Sequence, residues 1–162
     1  MIDAIKIGLR LSALATSIAA TCIIFTSNQT VVIFGIQMDA KYSYSSAIKF
    51  FGITTAIASV CSVVSLVLTF ILPRIVSSKA IHRVFFFMHD LVTMSLVLSG
   101  CAAATAIGYV SKYGYDHAGW MPICDHFSSF CHKVTAGVVL GYLSFIFFFV
   151  LTIINAIITP HH

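Results

Sequence analysis

Four long apolar stretches constrain this chain more than any other feature of its sequence. They cover about residues 7–27, 47–72, 84–110 and 134–158, and a helix needs roughly 20 apolar residues to cross a bilayer core. Only 9% of the 162 residues are charged, too few to cover the surface of a soluble domain of this size. The sequence therefore predicts an all-α fold, a transmembrane four-helix bundle that forms a single membrane domain over residues 1–162.

Basic residues predict how the bundle is oriented. Lys6 and Arg10 flank the start of span one. The short connection between spans two and three holds three further basic residues: Arg74, Lys79 and Arg83. The two longer connections, about 28–46 and 111–133, contain lysines mixed with aspartates and no arginine. Because lysine and arginine accumulate in short cytoplasmic flanks, we expect both termini in the cytoplasm and both longer loops outside. The net charge of +4 is accordingly attributed to topology, and no nucleic-acid partner is expected.

A carboxylate inside span three requires a partner. Asp90 lies about seven residues beyond Arg83, which is roughly 10 Å into the span. Span one enters from the same side and carries Arg10 at a comparable depth. Charges within a membrane usually face the bundle interior and pair, and the arginine fork matches a carboxylate. The sequence therefore predicts a structural ion pair between Arg10 and Asp90.

Other roles for these side chains stay open at this point. Arg10 can extend towards lipid phosphates, and Asp90 can be protonated or exposed to water near the membrane surface. Asp90 can also line a path for water or small solutes, in which case the protein is a small channel or carrier. The neighbouring His89 is expected to contact lipid headgroups or another side chain. Spans two and four hold no ionisable residue in their central turns, which argues against ion-coupled transport.

Small residues recur at helix-packing intervals in spans three and four. Span three carries Gly100, Ala104 and Gly108 at four-residue spacing, and span four carries Gly137 and Gly141. Small side chains let helix backbones approach closely in lipid, where apolarity alone does not drive helices together. We expect these five residues to lie at helix–helix contacts.

The second outer loop contains a cysteine pair that supports two interpretations. Cys124 and Cys131 lie on the predicted outer side, where oxidising conditions favour a disulfide. The rival is a zinc site that draws on five side chains: His117, Cys124, His126, Cys131 and His132. Their spacing fits no standard zinc finger, so we favour the disulfide and expect no metal. In the first outer loop, the apolar VVIFGI segment predicts either an extension of span one or a short surface strand.

Several of these residues together resemble the Casparian strip membrane domain protein-like (CASP-like) family of plants, which is related to MARVEL four-span proteins. The resemblance rests on Arg10 in LRLSALATSIAAT, on AKYSYSSAIKFF before span two and on Asp90 in HDLV. It also rests on an outer-loop W-x3-C-x5-FC motif formed by Trp120, Cys124, Phe130 and Cys131. The family pattern places an arginine in span one and an aspartate in span three, which correspond to Arg10 and Asp90. It also implies that both termini lie inside.

The resemblance implies a function. Members of this family self-assemble into immobile plasma-membrane platforms that recruit cell-wall-modifying proteins or limit lateral diffusion. The chain would then be a multi-pass scaffold whose partners are copies of itself, related family members, lipids and extracellular wall-modifying proteins. No nucleophile–base pair or phosphate-binding loop is recognisable, so neither catalysis nor a cofactor is expected. The first outer loop lacks the short motif of the founding Casparian strip proteins, which favours the broader CASP-like group.

Overall fold

Four long α-helices dominate the computed structural model, which describes residues 2–33, 36–75 and 79–157. The helices are α1 (Ile2–Phe25), α2 (Ser46–Ile75), α3 (Lys79–Tyr113) and α4 (Ser128–Ile157). Each is long and apolar enough to cross a membrane. Helices suit such sequences because every backbone hydrogen bond is satisfied within the segment, where lipid offers no partner. The predicted four-helix transmembrane fold is confirmed.

The helices are longer than the apolar stretches that predicted them. Helix α3 has 35 residues and a length of about 52 Å, so it extends well beyond a bilayer core of about 30 Å. Helix α4 begins at Ser128 rather than near 134, which shortens the connection between α3 and α4 to residues 114–127. Polar residues at these ends lower the hydropathy without preventing the helix from continuing.

Pro73 lies inside the second helix, close to its C-terminal end. Helix α2 continues through Pro73 to Ile75. Proline removes its own N–H and disturbs the preceding turn, but it does not prevent the next residues from remaining helical. The side chains of Arg74 and Lys79, two of the basic residues that predict the orientation, lie outside the described part of the structure.

Each helix packs against two neighbours. Helix α1 contacts α2 and α4, and α3 contacts the same two helices. Helices α1 and α3 therefore stand at opposite corners of the bundle. Large apolar side chains fill the space between the four helices, and those with almost no exposed surface are Ile24, Phe51, Val97, Phe148 and Leu151. This arrangement decides which polar residues can meet in the interior.

A β-hairpin forms most of the connection between α1 and α2. Strands β1 (Asn28–Ile33) and β2 (Ile36–Lys41) pair antiparallel, with Asn28 opposite Lys41. Of the two alternatives for VVIFGI, a membrane-span extension or a strand, the structure has a strand over the described residues of the segment. Phe34 and Gly35 lie outside the described residues. The Phe130 backbone N–H at the start of α4 donates a 2.7 Å hydrogen bond to the Gln29 side-chain oxygen. The hairpin is thereby tied to the opposite outer segment.

Candidate functional site

A layer of four buried polar side chains, one from each helix, crosses the bundle near the end where α1 and α3 begin. Its members are Arg10 of α1, Ser65 of α2, Asp90 of α3 and Asn155 of α4. Arg10 Nη2 lies 2.9 Å from Asp90 Oδ2, and Nη1 lies 3.1 Å from Oδ1. Arg10 Nη1 also donates to Ser65 Oγ at 2.7 Å, and Asn155 Nδ2 donates to Asp90 Oδ2 at 2.9 Å. We call these four residues the polar layer.

Burial makes the polar layer energetically important. Asp90 is 0% exposed and Arg10 is 3% exposed. Removing a charge from water is costly unless an opposite charge and further hydrogen bonds compensate it. Here the two parallel Arg–carboxylate bonds are joined by the Ser65 and Asn155 contacts, and the Phe86 ring lies 4.8 Å from the guanidinium carbon. The structure thus brings together the two charges that the sequence pairs, and adds partners from the other two helices.

Ser65 and Asn155 were missed by the sequence analysis. Serine is common in these spans, and nothing in the sequence distinguishes Ser65 from its neighbours. Asn155 did carry a signal, because it is an amide in an otherwise apolar span and lies near the same membrane side as Asp90. Amides inside membranes tend to hydrogen-bond across helices. That signal indicates a partner without identifying it.

His89 contacts the polar layer rather than standing apart from it. Its Nδ1 lies 3.4 Å from Asp90 Oδ1, and its side chain is 16% exposed. The ring also stacks on Phe85 with centroids 6.3 Å apart. His89 was expected to contact lipid headgroups or another side chain. In the structure it contacts a side chain, the Asp90 carboxylate.

Two hydroxyl pairs continue from the polar layer along the α1–α2 contact. Ser59 donates to Ser17 at 3.0 Å, and Thr21 donates to Thr55 at 3.0 Å. With the Arg10–Ser65 bond they form a series of side-chain bonds between these helices. Because each pair forms only in one alignment, the series fixes how α1 and α2 slide against each other. By contrast, the buried Ser62 Oγ has no hydrogen-bond partner within the described structure.

Three of the predicted packing glycines lie at close helix contacts. A β-carbon at Gly141 would lie 2.7 Å from the Phe51 ring, and one at Gly137 would lie 2.9 Å from Ile24. A β-carbon at Gly100 would overlap the Thr54 hydroxyl.

The other two small residues of span three have different surroundings. Ala104 is completely buried in the core. A β-carbon at Gly108 would meet no described atom outside its own helical turn within 4 Å, so the structure does not place Gly108 at a close helix contact. The register of α3 turns Gly108 towards an open space near the outer end, although its spacing from Gly100 and Ala104 is regular.

A disulfide and a small β-bridge order the connection between α3 and α4. Cys124 and Cys131 are disulfide-bonded with their Cα atoms 5.7 Å apart, which confirms the disulfide interpretation and removes both sulfurs as zinc ligands. Trp120, which is 58% exposed, forms an antiparallel bridge with Tyr115. Gly114 permits this turn through its φ of 73°, and a β-carbon there would lie 2.7 Å from the Trp120 carbonyl oxygen. Phe130 is the residue that ties this side of the molecule to the hairpin.

The polar layer joins the four helices through side-chain hydrogen bonds. Each of the four members bonds to at least one other member on a different helix, and the carboxylate has no exposed surface. The described residues also contain no group of three His, Cys, Asp or Glu side chains placed to hold a metal ion. The arrangement therefore fits a structural connection between helices better than a place where a substrate reacts.

Comparison with known proteins gives a consistent set of relatives. A family model described as the Casparian strip membrane protein domain matches residues 1–147. CASP-like protein 1F1 of Vitis vinifera is 49% identical over 150 residues, which cover 93% of this chain and 72% of that protein. CASP-like protein 1F1 of Ricinus communis is 47% identical, covering 93% and 84%. CASP-like protein 1F1 of Arabidopsis thaliana is 32% identical, covering 98% and 91%. No solved structure matches the chain.

Proposed function

Because the chain belongs to the Casparian strip membrane protein domain family, we propose that it is a non-enzymatic scaffold of the plasma membrane. The protein assembles with copies of itself, and with related family members, into stable membrane domains. These domains recruit extracellular cell-wall-modifying proteins or restrict lateral diffusion. Both termini lie in the cytoplasm, and the hairpin and the disulfide-bonded connection face the cell exterior.

The closed polar layer is the observation that carries this proposal. In the channel or carrier alternative Asp90 lines a path for solute, whereas in the structure Asp90 is completely buried and bonded to Arg10 and Asn155. Two cavities within the described residues lie at the opposite, outer end of the bundle and include no member of the polar layer. A bundle whose four helices are joined by hydrogen bonds across its interior is suited to presenting defined surfaces to other proteins.

Lateral mobility and assembly size test the scaffold directly. The full chain carrying a fluorescent protein is expressed in plant cells, and photobleaching recovery is compared with that of an unrelated four-span protein of similar size. We expect slow, incomplete recovery at the plasma membrane and a detergent-extracted particle several times larger than one chain. Free diffusion together with a monomeric particle would contradict the proposal.

Solute flux separates the scaffold from the channel or carrier. Purified wild-type protein and Asp90→Asn are reconstituted in liposomes at equal density, and shrinkage in small-solute gradients is recorded. We expect both to match protein-free liposomes. Flux through the wild type that disappears in Asp90→Asn would establish transport and overturn the scaffold-only function.

A further inference from the structure

The outer end of the bundle contains a cleft that the scaffold function does not use. Its volume is about 570 Å³, and it lies between β2, the first turn of α2, the last turns of α3 and the disulfide-bonded connection. Cavities of about 300–1,000 Å³ hold small organic molecules in proteins. We call it the outer cleft and define it by six of its lining residues: Asp39, Tyr44, Ile48, Val110, Trp120 and Phe130.

The walls of the outer cleft are held in place. Its floor includes Cys131, which is bonded to Cys124. One wall is the hairpin, which is tied across to Phe130 by the Gln29 side chain. On another side, the Ser111 carbonyl oxygen accepts the Ile123 and Cys124 backbone N–H groups at 2.9 and 3.1 Å. A preformed cavity binds a ligand with a smaller ordering cost than one that must first be assembled.

Aromatic and sulfur-containing side chains line much of the outer cleft. Tyr44, Trp120 and Phe130 line it together with Met38 and Met121. Aromatic side chains pack well against other rings in stacked or edge-on arrangements, and methionine adapts to irregular shapes and contacts aromatic rings favourably. The cleft interior therefore fits a compact apolar body that contains rings.

A charged group at the outer cleft provides a place for a hydroxyl. Lys41 Nζ lies 2.7 Å from Asp39 Oδ2, and the Tyr44 hydroxyl donates to the same oxygen at 3.0 Å. The hydrogen bonds from Lys41 and Tyr44 lower the pKa of Asp39 below its usual value, so Asp39 is an acceptor at neutral pH. Its side chain is 37% exposed, which leaves it accessible to a donor entering the cleft.

We propose that the outer cleft binds a compact, ring-bearing amphiphile with one hydroxyl group. The apolar rings lie among Ile48, Val110 and Phe130, and the hydroxyl donates a hydrogen bond to the Asp39 carboxylate. Such a molecule can reach the cleft from the membrane, as a sterol, or from water, as a simple phenol. The cleft lies where α2 begins and α3 ends, which is close to the predicted membrane surface. Both a molecule from the membrane and a molecule from water are therefore tested.

Trp120 makes binding measurable without a label, because it is the single tryptophan of the chain and lines the cleft. Full-length protein is placed in lipid nanodiscs. Dehydroergosterol is added in the lipid and detected by energy transfer from Trp120, and p-propylphenol is added in water and detected by quenching. We expect saturable binding of at least one probe. A non-fluorescent sterol should compete with dehydroergosterol, and excess phenol should compete with p-propylphenol. The probe that binds shows whether the ligand comes from the membrane or from water. Purely linear responses to both probes overturn the proposal.

Matched variants locate the binding site. Val110→Phe fills the cleft and is expected to weaken binding at least about tenfold, since the ligand loses its space. The control is Val92→Phe. Val92 is on the same helix, is 61% exposed and lies about 27 Å from Val110. We expect this variant to bind the probe like the wild type. Asp39→Asn removes the charged acceptor and is expected to weaken binding about tenfold.

An intact disulfide and an unchanged elution volume verify the fold of each variant. If Val110→Phe does not fold, Asp39→Asn still decides the question. Wild-type affinity in a folded Val110→Phe, or in Asp39→Asn, would overturn the assignment.

Discussion

At the residue scale, the contacts of Asp90 determine how the bundle tolerates a buried charge. The carboxylate accepts hydrogen bonds from Arg10 and Asn155, and Ser65 accepts one from Arg10. Because all four helices contribute, losing one partner leaves a polar group without compensation in a region that water does not reach. The energetic consequence depends on whether one charge or both are removed.

Removal of Arg10 alone is expected to be strongly destabilising. Arg10→Ala leaves the Asp90 carboxylate buried without its counter-charge, which costs about 3–5 kcal/mol. We expect a large fall in thermal stability in detergent and retention of the protein inside the cell. The double variant Arg10→Leu with Asp90→Leu removes both charges and should recover much of the loss. Wild-type stability and surface level in Arg10→Ala would contradict a structural role for the pair.

Ser65 and Ser62 form a matched pair one turn apart on α2. Ser65→Ala removes the acceptor of an Arg10 hydrogen bond and should lower the unfolding free energy by about 1–3 kcal/mol. Ser62→Ala removes a buried hydroxyl that has no described partner, so stability should be unchanged or slightly higher. Thermal unfolding of the two variants in the same detergent makes the comparison. Equal losses would show that the Arg10 contact is not what distinguishes the two serines.

At the element scale, helix contacts depend on which small residues face a neighbour. Gly141→Ala places a methyl group against Phe51 and Cys101, whose nearest atoms lie 2.7 and 2.8 Å from the new carbon. Phe51 is completely buried, so it cannot move aside freely. We expect a loss of about 1–3 kcal/mol in stability, measured by thermal unfolding.

Gly108→Ala is the control for that substitution. Its new methyl group meets no described atom within 4 Å, and alanine favours a helix over glycine by up to about 1 kcal/mol. Stability should therefore stay the same or rise. If Gly108→Ala destabilises as much as Gly141→Ala, the different helix contacts of the two glycines do not explain the effect.

The disulfide is expected to stabilise the connection between α3 and α4. Cys124 and Cys131 are separated by seven positions, and replacing both with serine should cost about 2–3 kcal/mol through the added freedom of the unfolded loop. Cys22, a free and exposed cysteine of α1, supplies the control Cys22→Ala, which should leave stability unchanged. Identical melting of both variants and the wild type would show that the bond does not contribute to stability.

At the scale of the whole molecule, the disulfide also reports orientation. The proposed topology places Cys124 and Cys131 outside the cell. A membrane-impermeant phosphine added to intact cells should reduce the bond, and mass spectrometry after alkylation would detect both freed thiols in the 124–131 segment. Reduction only after permeabilisation would place this end of the bundle in the cytoplasm and reverse the topology.

The bundle geometry explains why pairing across it involves all four helices. Helices α1 and α3 occupy opposite corners, because each packs mainly against α2 and α4. An Arg10–Asp90 bond must therefore cross the centre of the bundle, where α2 and α4 also present side chains. The side chains of Arg10 and Asp90 meet in the middle of the bundle. Ser65 accepts a further hydrogen bond from Arg10, and Asn155 donates one to Asp90. The polar layer consequently connects the entire cross-section rather than two adjacent helices.

Hydropathy and charge in the sequence alone determined that this chain forms four membrane-crossing helices, and Arg10, Asp90 and the cysteine pair stood out as unusual for their surroundings. These features follow from the local cost of placing a residue in lipid or in an oxidising compartment. Other features depend instead on how each helix is rotated and on which helices are neighbours. These are the hydrogen bonds of Ser65 and Asn155, the open space beside Gly108 and the outer cleft. Only the tertiary structure decided them, because one sequence pattern is compatible with many rotations, while close packing and hydrogen bonding select one.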